Sequence, residues 1–430
     1  MEYQEALSII HTATRLGSQL GLERIRRLCD LLGRPQDSLH FVHVAGTNGK
    51  GSTVAMTANT LQRAGYKTGM FISPFVLDFR ERMQINGEMI PPQELADTLE
   101  CMLPLIAQMK QEGAEPTEFE IVTALALRWF ADRGCDIVVF EVGLGGRFDS
   151  TNVIDAPDCA AILSISLDHT HILGNTTAEI AFEKCGILKE GSRAAVYPLL
   201  DDEALAVVKR ICAEKGISPN IPDLSQLTVL QSGFDGSHIR YRGEEYHISM
   251  RGEYQIYNAL TVLSICEELR TRGWRIPQDA VQWGLANTHF GGRLEVVRRS
   301  PLCMIDGAHN PDAVAQLCRA MDEFFAGRRV VTVMGMVSDK DYRHCIGEVA
   351  SRSNVFIAAQ PDSPRALSAA EAAAAASQMC SDVRVQPDPM QAARDAVAAA
   401  GADDVVIACG SLYMIGDCKR AFQETADAVR

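Results

Sequence analysis

The sequence predicts an α/β chain, a mainly parallel sheet unit carrying a small antiparallel patch and followed by a smaller α/β unit. Three observations lead there. Short apolar runs alternate with longer helical patterns through the first half; alternating residues broken by Gly and Asp turns follow from about residue 219 to 252; a second apolar series begins after a Gly-Gly pair. At 430 residues the chain exceeds the ~250–300 at which a single hydrophobic core stops growing, so two units or more are expected.

The first unit's strands are expected at "LHFVHVAG" (39–46), "KTGMFIS" (67–73), "CDIVVFEVG" (135–143) and "CAAILSIS" (159–166). They are continuous rather than alternating, as strands covered on both faces tend to be. "LTVL", "HIRYRG" and "YHISMRG" supply the antiparallel patch, placed at the edge of this unit, and a helix is expected over 254–271. In the second unit the runs are "LCMID", "RVVTVMGMV", "NVFIAAQP" and "DDVVIACGS", with alanine-rich "SAAEAAAAASQM" (368–379) read as a helix. The boundary is placed at Gly291 and Gly292, giving units 1–291 and 292–430.

Composition narrows the function. A formal net charge of -14 argues against nucleic acid as a partner, because a polyanion needs clustered Lys and Arg. The 13 cysteines form no CxxC pair, and the acidic start "MEYQEALSII" lacks an apolar leader, so reduced core thiols in a cytoplasmic protein are expected. No apolar run reaches the ~18 residues that a membrane span needs. The acidic surface gives no cue for a permanent partner, and a monomer is expected.

The chemistry starts at "FVHVAGTNGKGST" (41–53), where an apolar strand meets a glycine-rich turn that opens a helix ending at Gly65. Such a turn presents backbone N–H groups and a helix N-terminus to an anion, and Lys50 adds a point charge, so phosphate is the natural ligand. The spacing differs from the usual phosphate loop: only Thr47 and Asn48 separate Gly46 from Gly49, and Gly51 stands between Lys50 and Ser52. The bland alternative is a tight turn that needs glycines for positive φ. Ser73 ends the second strand, Glu141 the third, and His169 lies past the fourth. Carboxyl ends of parallel strands share one crevice, so these groups are expected to converge beside the phosphates, where they could hold Mg²⁺. Thr176 and Glu179 have capping-box spacing, which puts Lys184 on the apolar face of Ile180 and Ile187. A lysine so placed usually snorkels to water; the alternatives are a buried anion or chemical modification.

Ten segments, in order, carry a resemblance that spans about residues 1 to 417: "GTNGKGS", "SPFVLDFRERMQINGEMI", "PTEFEIVTALAL", "EVGLGGRFDSTN", "LDHTHILGNT", "AFEKCGILK", "NALTVL", "GRLEVV", "DGAHNP" and "GSLYMIGD". Together they resemble the folylpolyglutamate synthase and dihydrofolate synthase family of ATP-dependent Mur-type amide ligases. The resemblance implies a P-loop-containing central domain with the folate site and a Rossmann-like C-terminal domain on the glutamate side. It implies that Gly46, Thr47, Asn48, Gly49, Lys50, Gly51 and Ser52 cradle ATP, with Asn258, Arg293 and Asp306 also contacting nucleotide. Ser73 and Glu141 would ligate one Mg²⁺ and His169 a second, and Lys184 would be carbamylated. Lys50, Lys184, His309 and Arg293 are the catalytic candidates, His309 as base for the glutamate amine.

The implied reaction moves the γ-phosphoryl group of ATP onto a folate or dihydropteroate carboxylate, and the amine of L-glutamate attacks the resulting acyl phosphate. Lys340 is a candidate for gripping the glutamate carboxylates, and 73–90 with "TEFE" (117–120) for the pterin-benzoate pocket. The chain departs from the family pattern at Phe75, where His is frequent, at Tyr254 in place of His, and at Gly292 in place of Pro. Competing readings are a Mur-type ligase acting on a cell-wall precursor and a nucleotide-hydrolysing switch. "RERMQING" weighs against the first, and the lack of an NKxD-type guanine motif against the second.

Overall fold

The structure, a computed structural model, describes residues 1–13 and 21–427; positions 14–20 and 428–430 of the expected units lie outside the described residues. Its largest sheet has eight strands: β1 (Phe41–Ala45), β2 (Thr68–Phe71), β3 (Met83–Ile85), β4 (Glu88–Met89), β5 (Ile137–Glu141), β6 (Cys159–Ile162), β7 (Arg193–Val196) and β8 (Pro219–Asn220). Their order is β4-β3-β2-β5-β1-β6-β7-β8. From β2 to β8 neighbouring strands are parallel, while β3 and β4 add an antiparallel hairpin. The hairpin turns at Asn86 and Gly87, both at positive φ (50° and 79°), a preference that Asn-Gly meets at little steric cost.

Both faces of the parallel strands are covered, which explains their unbroken apolar runs. Val42 and Val44 pack on Val54 and Leu61 of the helix Lys50–Arg63 and on Ile256 and Leu260 of the helix Tyr254–Thr271. Phe41 and Phe140 face Leu125 and Phe130 of the helix Glu118–Asp132 on the other side. The expected patch is a separate antiparallel sheet of three strands, β9 (Leu227–Gly233), β10 (Gly236–Tyr241) and β11 (Glu244–Ile248). Ile239, Tyr241 and Ile248 join the core of the large sheet, so the patch is attached by packing rather than by strand pairing.

The third sheet runs β12-β13-β17-β14-β15-β16, built from β12 (Glu295–Arg299), β13 (Leu302–Ile305), β14 (Val330–Met334), β15 (Val355–Ala358), β16 (Val383–Val385) and β17 (Val405–Cys409). Only β12 is antiparallel. The alanine-rich segment is helical over Ala369–Ala376 and is capped by Ser368. No cysteine is paired; Cys101, expected in the core, is exposed instead. Among the described residues no helix is long and apolar enough to cross a membrane.

Candidate active site

The glycine turn leaves β1 and opens the helix Lys50–Arg63, with Gly49 as its N-cap at φ 83°. A Cβ at Gly49 would lie 2.5 Å from Asn258 Oδ1, so glycine is required by both the backbone and its neighbour. The turn is braced against the residues after β6: Thr47 N donates to Ser164 O at 2.7 Å and Asn48 N to Ser164 Oγ at 3.3 Å. Those two N–H groups are engaged, so the free donors of the helix start fall at Gly49, Lys50, Gly51 and Ser52. Lys50 Nζ donates to Gly46 O (3.1 Å) and Thr47 O (3.2 Å), and burial lowers its pKa. Ser52 Oγ accepts from Gln255 Nε2 at 3.2 Å, and Asn258 Nδ2 donates to Gln255 Oε1 at 2.9 Å.

Glu141 is the last residue of β5 and is 4% exposed. Burial pushes its carboxyl up to about 7, against the opposing pull of Lys50 and Arg293. Ser73 lies two residues beyond β2 instead of ending it, and its N–H donates to Glu141 Oε2 at 3.2 Å. His169 stands in a left-handed conformation (φ 48°), with Nε2 at 3.3 Å from Lys340 Nζ; burial pushes its pKa down to about 4.

Lys184 does not snorkel. It is 3% exposed, and its Nζ donates to Gly46 O at 2.8 Å. Burial, followed by the charge of Lys50, brings its pKa down to about 7. The expected capping box is present: Thr176 and Glu179 fix the start of the helix Thr177–Lys184. The Gly-rich loop 143–149 lies against the end of that helix; a Cβ at Gly146 would meet the carbonyl oxygen of Lys184 at 2.7 Å.

The third sheet completes the cleft. Asp306 follows β13, and its carboxylate accepts from Leu294 N and Ala308 N, both at 2.8 Å, which shapes the turn. Arg293 Nη1 donates to Gly292 O at 2.8 Å. His309 Nδ1 donates to Gly307 O at 2.8 Å, leaving Nε2 as an acceptor, and burial pushes its pKa down to about 4. Asn310 caps the helix Pro311–Phe324, as its sequence predicts.

The nucleotide, metal and catalytic candidates selected from the sequence line one cavity of about 390 Å³ between the two parallel sheets, from the glycine turn through Ser73, Glu141, His169, Lys184 and Asn258 to Arg293, Asp306 and His309. A second cavity of about 320 Å³ shares Gly51, Ser73, Glu141 and Arg293 with it and continues along Gln84, Asn86 and Phe290. Segment 73–90 therefore contributes to the lining of this second cavity. "TEFE" lines neither cavity: Thr117 and Glu120 form a capping box, and Glu120 pairs with Arg24 Nε at 3.1 Å. Lys340, the candidate for gripping the glutamate carboxylates, is bonded to Asp168.

Motif reading missed Asp168, whose carboxylate touches both halves of the cleft. Burial opposes its ionisation, but Lys340, His169 and His309 outweigh that and hold it well below the usual carboxylate range. An acid immediately before the histidine of "LDHTH" was the available signal.

A phosphate-type turn facing a buried carboxylate, with a second parallel sheet closing over both, defines a two-domain nucleotide-dependent ligase. The Mur ligase middle domain matches residues 44–266, and the Mur ligase, glutamate ligase domain, matches residues 292–412. The dihydrofolate synthase/folylpolyglutamate synthase of Bacillus subtilis is 37% identical over 428 residues, covering 97% of this chain and 98% of that protein. Mycobacterium tuberculosis folylpolyglutamate synthase complexed with ADP and AMPPCP superposes with a TM-score of 0.88 at 30% identity, over 98% of this chain and 99% of that one. A bifunctional folylpolyglutamate synthase/dihydrofolate synthase with Mn, AMPPNP and L-glutamate bound gives 0.83 at 30% identity, over 98% of both chains. The chain belongs to the folylpolyglutamate synthase and dihydrofolate synthase family of Mur-type ligases.

Proposed function

We propose that this chain is an ATP-dependent carbon–nitrogen ligase that joins L-glutamate to a folate carboxylate, with tetrahydrofolate and dihydropteroate as the two acceptors to be distinguished. The observation that carries the reading is the convergence, in one cavity, of the Gly46–Ser52 turn, buried Glu141 and buried Lys184 with Arg293 and His309 from across the cleft. The domain division follows at residues 291 and 292, supported by the matched glutamate ligase domain beginning at residue 292.

A carboxylate does not acylate an amine at neutral pH, because its oxygen is a poor leaving group. Transfer of the γ-phosphoryl group breaks the bond to ADP and forms an acyl phosphate; the glutamate amine then displaces phosphate. The N–H groups of Gly49 to Ser52 and the ammonium of Lys50 take up the negative charge of the transferring group. Asn258 walls the turn, and Asp306 shapes the loop that brings Arg293 and His309 to the cleft. Arg293, at the junction, screens the phosphoryl group, and closure keeps water from the acyl phosphate.

The donor set fits a hard cation. Glu141 offers a carboxylate and Ser73 a hydroxyl, which suits Mg²⁺ with phosphate and water oxygens completing the sphere, and His169 offers a neutral ring nitrogen for a second ion. When bound, such an ion neutralises charge on the phosphate oxygens. Carbamylation of Lys184 would convert a buried amine into an anion on the same side of the cavity, a change favoured by its lowered pKa.

Mass spectrometry tests the reading. With MgATP and L-glutamate, tetrahydrofolate gains one or more glutamyl units; gain on dihydropteroate as well makes the chain bifunctional. ATP consumption with no mass gain on either acceptor overturns the folate assignment.

A further inference from the structure

Asp168 sits in the turn after β6, with its side chain 9% exposed. Its Oδ1 accepts the backbone N–H of His169 at 2.8 Å and a hydrogen of the Lys340 ammonium. Its Oδ2 accepts from Asn310 Nδ2 at 3.1 Å, and His309 Nε2 stands 3.9 Å away. Lys340 comes from the turn after β14 and Asn310 from the turn after β13, so one carboxylate joins three turns drawn from two sheets. The network continues into the glycine turn: Asn310 Nδ2 also donates to Asn48 Oδ1 at 3.1 Å, and Asn48 Nδ2 donates to Asp312 Oδ2 at 2.8 Å.

The geometry points to Asp168 as a positioning residue that clamps the glutamate-side unit, through Lys340 and Asn310, onto the turns carrying His169 and the phosphate-binding groups. It rests on the ligase reading above. Lys340 then acts through Asp168 instead of gripping the amino-acid substrate. A buried ionic pair of this kind is strongly destabilised when one partner is lost, because the other stays desolvated and uncompensated. In a reaction whose intermediate is an acyl phosphate, an open junction admits water, and phosphate is released without amide.

The test uses the full chain with MgATP, L-glutamate and tetrahydrofolate, comparing Asp168→Asn, Lys340→Gln and the double variant. Each single change is expected to lower kcat by about 10–100-fold through loss of alignment. KM for L-glutamate stays within about threefold, and the phosphate released per amide rises above one. The double variant is no slower than the slower single, since both remove one interaction. Losses that multiply, a ratio that stays at one with kcat unchanged, or a raised KM for L-glutamate in Lys340→Gln alone would each overturn the clamp. If Asp168→Asn does not fold, Lys340→Gln and Asn310→Ala carry the same comparison. Should the wild-type chain make no amide from any folate, the ligase reading falls. Hydrogen exchange in substrate-free protein then decides the clamp: faster exchange over residues 308–312 and 338–341 in the variants supports it, and unchanged exchange rejects it.

Discussion

Lys184 Nζ donates to the carbonyl oxygen of Gly46 at 2.8 Å, the same oxygen that Lys50 Nζ approaches at 3.1 Å. Two ammonium groups on one carbonyl repel, and burial together with this repulsion from Lys50 lowers the Lys184 pKa to about 7. The amine is therefore largely neutral at pH 8, which is the form that adds CO₂. Removing dissolved CO₂ should lower kcat, and bicarbonate should restore it. Lys184→Arg should be slower by about 10²–10³-fold, the scale of losing one charge-stabilising group, and insensitive to bicarbonate. A wild-type enzyme indifferent to CO₂ would remove carbamylation from the mechanism.

The same lysine sets a pH dependence of stability in CO₂-free buffer. Its pKa falls from 10.5 in the unfolded chain to about 7 in the folded one. Between these values the unfolded chain holds the extra proton, so this group makes stability rise with pH across that window and leaves it flat below pH 7. Urea unfolding midpoints of wild type and Lys184→Met, compared at pH 7 and 9, should show the steeper rise in the wild type.

Glu141→Gln keeps the shape of a 4%-exposed side chain and removes its charge. Divalent-cation affinity, read by Mn²⁺ electron paramagnetic resonance with an ATP analogue present, should fall at least about 10–100-fold, the loss typical of disturbing even an outer metal partner. Thermal stability without metal should not fall, because a carboxyl raised to about 7 by burial is costly to keep ionised at higher pH. Equal Mn²⁺ affinity in the two proteins would reject Glu141 as a ligand.

Gly49→Ala tests the turn itself. The residue sits at φ 83°, and a Cβ would lie 2.5 Å from Asn258 Oδ1, so the change should cost about 1–2 kcal/mol of backbone strain and weaken ATP binding. Gly65 is also left-handed (φ 98°) but has nothing within 4 Å of an added Cβ. Gly65→Ala should therefore cost stability alone and leave ATP affinity intact, as measured by calorimetric titration.

Those two glycines also show where the sequence was legible. A strand, a glycine turn and a helix with a glycine stop are local patterns, and parallel topology then brings strand ends together, so Ser73, Glu141 and His169 could be placed beside the turn from spacing alone. The edge strands β12 and β16 escaped because short edge strands carry little hydrophobic signal; β16 is half exposed along "VRV". Asp168 escaped for a different reason: its partners Lys340 and Asn310 lie 172 and 142 residues away, a separation that no periodicity records. "TEFE" was a candidate for the pterin-benzoate pocket, whereas Thr117 and Glu120 have the spacing of a capping box and form one.

His309 is the remaining candidate base, and its geometry favours a narrower task. With Nδ1 donating to Gly307 O, Nε2 can accept a hydrogen bond from the incoming amine. A base works best when its pKa lies near the working pH, and burial, with the nearby charge of Lys340, holds this one down to about 4. It can orient the amine but is a poor store for the proton. His309→Asn, which keeps an acceptor, should retain kcat within about tenfold and preserve the acidic limb of the kcat/KM profile, whereas loss of an obligatory base would cost about 10²–10⁴-fold. His309→Ala, which removes the acceptor, should raise KM for L-glutamate more than it lowers kcat, since it abolishes a contact made to the bound amine before the reaction. A flattened pH profile in His309→Asn would return the residue to the role of proton acceptor.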